Sequence, residues 1–250
     1  MTITARCFGV PIAVRCRPVD LESVSAHLPI DCTPDDSVEP AGSFTFDLQL
    51  QGNGLFLVKR GSCVKGLPGP LPSALRILQK EIHICVAEHS RERVFIHAGV
   101  VAWKNRAIIL PGSSHAGKST LVWSLVQAGA VYYSDEYAVF DENGFIYPFP
   151  LPISLRMQNG ERRMIMPDRA GAAPLAPDLI AFVRYRPGAI WRPHALTPAQ
   201  TVLQLLRHSI AIRRNPAFVF PVLTKVSLKA RSFVGMRGNT AETVAWLSTD

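Results

Sequence analysis

The chain has 250 residues, enough for one large domain or two small ones with a substantial core, and its 48% hydrophobic and 18% charged residues exclude a disordered polymer. Lys and Arg number 27 against 19 Asp and Glu, so the net charge of +8 implies an anionic partner. No run of like charge or aromatic-basic repeat accompanies that excess, which disfavours nucleic acid, and no uninterrupted apolar stretch reaches the roughly 18–20 residues that span a bilayer, which disfavours a membrane.

From Met1 to Val10, arginine interrupts the apolar residues and the layout of a secretory signal is missing, so a cytoplasmic protein is expected. Cys7, Cys16, Cys32, Cys63 and Cys85 are odd in number and lack any C-x-x-C pair. Buried or incidental thiols are therefore expected, rather than a disulfide framework or a zinc site. Phe44, Phe46, Leu48 and Leu50 alternate with polar partners as in a half-buried strand, and Gln51–Gly54 turns the chain into a second strand, Leu55–Arg60. Gly61–Pro72, rich in glycine and proline, reads as a linker, so residues 1–70 form a small β-rich module and 71–250 the main domain.

Leu75, Leu78, Ile82 and Cys85 mark an amphipathic helix expected to pack on the sheet that follows it. Val94–Trp103 and Arg106–Leu110 are apolar strands on either side of Lys104-Asn105, and Leu121–Val126 is a buried helix stopped by Gly129. Val131–Phe140 is a strand with charges at its middle, and Asp141–Gly144 turns it into Phe145–Tyr147. Arg156–Asp178 lacks periodicity and reads as a long loop, after which Leu179–Tyr185 resumes as a strand. Thr197, Pro198 and Gln200 form a capping box for a helix running to about Arg214. Asn215-Pro216 opens another helix, bent at Pro221, a short strand lies near Phe233, and Asn239 caps a terminal helix through Trp246.

The densest signal is Gly112-Ser113-Ser114-His115-Ala116-Gly117-Lys118-Ser119-Thr120, which matches G-x-x-x-x-G-K-[ST] between a strand and a helix. In such a motif the glycines let backbone amides turn toward phosphate oxygens, and the helix N-terminus faces the same charge. Residues 112–120 are therefore the expected ATP-binding segment, with Lys118 on the β- and γ-phosphates, Ser119 on Mg²⁺ and only the backbone amide of His115 engaged. Asp135 and Glu136 follow on the next strand, one suited to the metal and one to a hydroxyl proton. Neighbours on a regular strand face opposite ways, so a bulge or strand end is required if both serve one pocket. His97, on the strand before the motif, is placed to hydrogen-bond the Asp135 carboxylate and tune its basicity.

His97-Ala-Gly-Val-Val, the segment Ile-Leu-Pro-Gly112 through Leu121, Ala-Gly129, Ser134-Asp-Glu-Tyr137 and Pro150-Leu-Pro-Ile-Ser-Leu155 together resemble the HPr kinase/phosphorylase superfamily, in its shorter HPr-kinase-related branch. The resemblance covers about residues 90 to 160. It implies an α/β domain of the phosphoenolpyruvate carboxykinase-like type, a mixed β-sheet flanked by helices, and ATP- and Mg²⁺-dependent phosphorylation of a serine hydroxyl. It also implies Asp135 as acid/base, Lys118 and His97 as its catalytic companions, and Ser119, Asp135 and Glu136 as metal ligands. Glu136 stands where the family has aspartate, and the family's glycine-rich segment has no counterpart in Gln158–Gly171. The acceptor implied is a serine-bearing protein or peptide, including ribosomal precursor peptides, and the family's closed assemblies imply a homo-oligomer. A regulatory module that binds nucleotide without transferring phosphate, and a small-molecule kinase, are the alternatives.

Overall fold

In the computed structural model, which describes residues 1–112, 117–156 and 160–249, β1 (Thr2–Cys7) turns into β2 (Val10–Arg15) through Phe8-Gly9, both at positive φ. The short α1 (Leu21–Ser25), β3 (Cys32–Pro34), β4 (Phe44–Leu50), β5 (Phe56–Arg60), β6 (Cys63–Gly69) and α2 (Leu71–His89) complete a unit spanning Met1–Glu92. Its sheet has the order β3-β1-β2-β4-β5-β6, with only the β2–β4 pair parallel. The β4–β5 hairpin forms where alternation placed it, pairing Leu48 with Val58.

Three expectations for this region are corrected. Gly61–Pro72 is no linker but contains β6, an edge strand so exposed that no alternation marks it. The apolar stripe of α2 packs back onto β4, β5 and β6, so the boundary between units lies at 92/93 rather than 70/71. Cys7 and Cys32 face each other in the β1–β3 ladder and are joined in a disulfide, a pairing that the odd total had argued against; Cys16, Cys63 and Cys85 take no part in it.

Burial of α2 has a consequence for pH. Desolvation pushes the imidazole of His83 from its ordinary 6.5 down to about 4. Between those values the unfolded chain binds a proton that the folded one refuses, so stability is complete above the upper value and is lost as pH falls through the window. The expected loss by pH 4 is about 3 kcal/mol, and His83→Leu is expected to remove most of it. Hydrogen exchange of the α2 amides from pH 7 to pH 4 measures both; equal slopes in the two proteins would sink the assignment.

The second unit, Arg93–Asp250, begins with β7 (Val94–Trp103) and β8 (Arg106–Pro111), antiparallel and joined through Lys104-Asn105, both at positive φ. There follow α3 (Lys118–Gln127), β9 (Val131–Ser134), β10 (Tyr137–Phe140), β11 (Ile146–Tyr147), β12 (Ile153–Arg156), β13 (Arg162–Ile165), β14 (Pro177–Tyr185), β15 (His194–Leu196), α4 (Pro198–Leu206), α5 (Pro216–Lys229), β16 (Arg231–Arg237) and α6 (Thr240–Leu247). Eight strands form one mixed sheet in the order β11-β10-β7-β8-β14-β16-β15, with β9 also paired to β7. β8, β14 and β16 are mutually parallel.

Both faces of this sheet are buried, which is why β8 reads as an unbroken apolar run. Val100, Ile109 and Ile180 pack with Leu205, Val219, Leu223 and Val226 of α4 and α5. Val101, Ile108, Leu110 and Leu179 pack with Leu121 and Leu125 of α3 and Leu247 of α6. The α/β class with a mixed, helix-flanked sheet is thus borne out.

Here too there are corrections. Arg156–Asp178, expected as a long loop, contains β13, which pairs antiparallel with β12 and is so largely exposed that it leaves no periodic signal. The Thr197 capping box is present, but α4 ends at Leu206 because the backbone of His208 and Ile210 bonds His97 and Phe95 of β7. The expected helix after Asn215 is present as α5, with Pro221 inside it.

Candidate functional site

The site assembles where β8 ends, α3 begins and the β9–β10 strand breaks. Gly117 adopts φ +78° at the N-terminus of α3, a left-handed conformation that favours glycine, as the motif requires. A Cβ there would also meet Arg237 Nη2 at 2.5 Å and Tyr185 Cβ at 3.2 Å. Ser113, Ser114, His115 and Ala116 lie outside the described residues. The Gly112 amide donates to the His97 carbonyl at 3.2 Å rather than being left for phosphate.

Lys118, in the first turn of α3, is largely buried. Its Nζ donates to the Asp135 carbonyl oxygen and, at 3.2 Å, to Asp135 Oδ1. The motif lysine and the leading acid/base candidate therefore share one space. Ser119 is half-buried and Thr120 exposed on the same turn. The predicted interruption of the strand is present: β9 stops at Ser134 and β10 starts at Tyr137, with Asp135 and Glu136 between them. Ser134 is fully buried, and its Oγ accepts the amides of Glu136 at 3.2 Å and Tyr137 at 3.0 Å. That local turn frees the two carboxylates from strict alternation.

His97 does not hold Asp135. Its Nε2 lies 3.8 Å from Glu136 Oε1, because Lys118 occupies the Asp135 carboxylate. Burial, then the Lys118 charge, pushes the His97 imidazole below its ordinary range, outweighing the opposing pull of Glu136. At neutral pH the contact is one between a neutral ring and a carboxylate, not an ion pair.

Two residues of this site had no role assigned from the sequence, although Gly99 lies in the His97-Ala-Gly-Val-Val segment. Gly99 of β7 lies under α3, where a Cβ would collide with Val122 and come within 3.3 Å of Lys118 Cγ and 3.6 Å of Asp135 Oδ1. Arg237, at the end of β16, is only 2% exposed. Its Nη2 donates to the Gly117 carbonyl at 2.8 Å, its Nη1 to Thr240 Oγ1 at 2.9 Å, and its guanidinium lies 5.2 Å from the Tyr185 ring centre. It reaches the left-handed glycine from the far end of the chain.

No family model matches the chain, and no curated protein matches it.

Among the described residues no three His, Cys, Asp or Glu side chains gather to hold a metal. A divalent ion there would need few protein ligands, which suits Mg²⁺ with nucleotide phosphates and water completing its shell. Ser119 and Asp135 fit that donor set, since the Lys118 contact brings the start of α3 to the Asp135 carboxylate, and Glu136 can add a second carboxylate.

Proposed function

We propose that the Arg93–Asp250 unit is an ATP- and Mg²⁺-dependent kinase that transfers the γ-phosphoryl group to a serine hydroxyl of a protein or peptide, in the manner of the HPr-kinase-related proteins that its motifs resemble. The observation that carries the reading is the meeting of Lys118, from the phosphate-loop motif, with the Asp135 carboxylate at 3.2 Å. A strand-motif-helix unit that binds polyphosphate thereby has a carboxylate where the terminal phosphate would lie.

In this reading Lys118 leaves Asp135 for the phosphates when nucleotide enters, and the freed carboxylate accepts the proton of the incoming hydroxyl. Ser119, Asp135 and Glu136 would hold Mg²⁺, which would supply positive charge against the phosphates. His97, neutral at pH 7, orients Glu136. Most of the rate enhancement comes from positioning and from the fixed charges of Lys118 and the helix N-terminus.

The test is incubation with γ-labelled ATP and Mg²⁺ in the presence of lysate and serine-containing peptides. Label on a peptide or protein serine supports the reading. Label only on small molecules identifies a metabolite kinase, and tight nucleotide binding with no transfer to any acceptor or water identifies a regulatory nucleotide-binding module; either result overturns it.

A further inference from the structure

The parallel strands β8, β14 and β16 end on the same side of the sheet, and there a cleft of about 890 Å³ opens beside Pro111 and Gly112, where the phosphate-loop motif starts. Open α/β sheets bind ligands in such crevices at the carboxyl ends of their strands. The cleft is lined by Arg184, Arg192 and Arg207 together with His194 and His208, and among the described residues by no Asp or Glu. Arg184 and Arg192 make no ion pair among the described residues, and Arg207 reaches only the side chain of Gln204, at 3.4 Å. Three guanidinium groups around one concavity, without a carboxylate, create a strongly positive potential.

ATP alone does not call for them. Its phosphates are served by the motif backbone, Lys118 and the metal, and its nucleoside is neutral. A second anion would satisfy them, and His97 links their cleft to the carboxylates. The His97 carbonyl accepts the Gly112 amide at 3.2 Å, its own amide donates to the His208 carbonyl at 2.9 Å, and its ring approaches Glu136 at 3.8 Å. The cleft floor is therefore continuous, through one residue, with the Asp135–Glu136 break. The cleft also presents the exposed apolar side chains of Tyr185, Ile190 and Met236, and its volume lies near the upper end for small-molecule pockets. Apolar contacts interspersed with cations suit an extended polypeptide better than a compact metabolite.

Resting on the kinase reading, we propose that this cleft binds the phosphate acceptor, and that the acceptor is an acidic peptide segment whose carboxylates pair with Arg184, Arg192 and Arg207 while its serine reaches Asp135.

The experiment measures binding before chemistry. A rhodamine-labelled peptide with one serine among aspartates and glutamates is titrated with the full chain, without nucleotide, against the same peptide carrying asparagine and glutamine instead. The acidic peptide is expected to bind at least about 10-fold tighter, with the difference shrinking as salt rises. The double variant Arg184→Glu/Arg207→Glu is expected to lose about 10-fold or more of that affinity while its ATP affinity is unchanged. Arg184→Gln/Arg207→Gln should fall between, and Arg76→Glu, on exposed surface of the first unit, should change nothing. Equal binding of the two peptides, or a loss of ATP affinity with peptide affinity intact, overturns the proposal; so does displacement of the acidic peptide by millimolar inorganic phosphate as effectively as by unlabelled peptide. Since peptide binding is read without nucleotide, failure of the kinase reading appears separately, as specific acidic-peptide binding with no phosphoryl transfer.

Discussion

Replacing Asp135 with asparagine is expected to lower phosphoryl transfer by about 10²–10⁴-fold, the range for loss of a positioned general base. Nucleotide affinity should stay the same or tighten. The side chain is nearly isosteric and keeps an oxygen for Lys118, so the turn set by Ser134 has no reason to change. What changes is the hold on Lys118: a neutral amide grips the ammonium less than a carboxylate does, and the lysine moves more readily to phosphate. Glu136→Gln is the comparison that gives the experiment its force. The Glu136 side chain is 47% exposed and approaches His97, so the expected loss is about 10-fold, typical of a supporting ligand. Single-turnover transfer and ATP titration of the two variants read both quantities. If Glu136→Gln suffers the larger loss, the base is Glu136 and the Lys118–Asp135 contact is structural.

Much of this site was legible because its chemistry depends on neighbours in sequence. Gly117, Lys118 and Ser119 lie in one run, and Asp135 next to Glu136 could share a pocket only if the strand broke, as it does between Ser134 and Tyr137. Periodicity likewise located strands buried on one or both faces, such as β4, β7 and β8, and the Thr197–Gln200 box located the start of α4. The failures share a cause. β6 and β13 are exposed along most of their length, so no alternation of apolar and polar residues marks them, and the direction in which α2 packs is absent from the spacing of its apolar stripe. Cysteine counting weighed against a framework of bridges but could not detect a single cross-strand pair, which depends on the register of β1 with β3. The partner of His97 was misassigned because a competitor, Lys118, held Asp135 first. Gly99 and Arg237 act by proximity to α3 from strands distant in sequence, and proximity of that kind is written in the sheet order alone.

Arg237→Met is expected to raise the KM for ATP by at least about 10-fold with little change in folding stability. The two effects separate because the energies of the buried guanidinium oppose each other. Its bonds to the Gly117 carbonyl and Thr240 Oγ1 contribute roughly 1.5–3 kcal/mol each, while removing the charge from water costs several kcal/mol and, among the described residues, is not offset by a carboxylate partner. Burial accordingly pushes the Arg237 pKa down. Methionine fills similar space, removes the desolvation cost together with the bonds, and leaves the Gly117 carbonyl bonded to the Leu121 amide at 3.2 Å. The protein is expected to keep its fold but to lose the positive charge beside the proposed phosphate site and the fork that fixes the left-handed glycine. Arg237→Lys retains a charge but not the planar fork or the stacking on Tyr185, so it is expected to recover only part of the ATP affinity. Urea unfolding together with separate KM values for ATP and acceptor tests the argument. A rise in both KM values in step with a fall in stability would make Arg237 a structural residue; a rise for ATP alone makes it the element that ties the last strand of the parallel set to the start of α3.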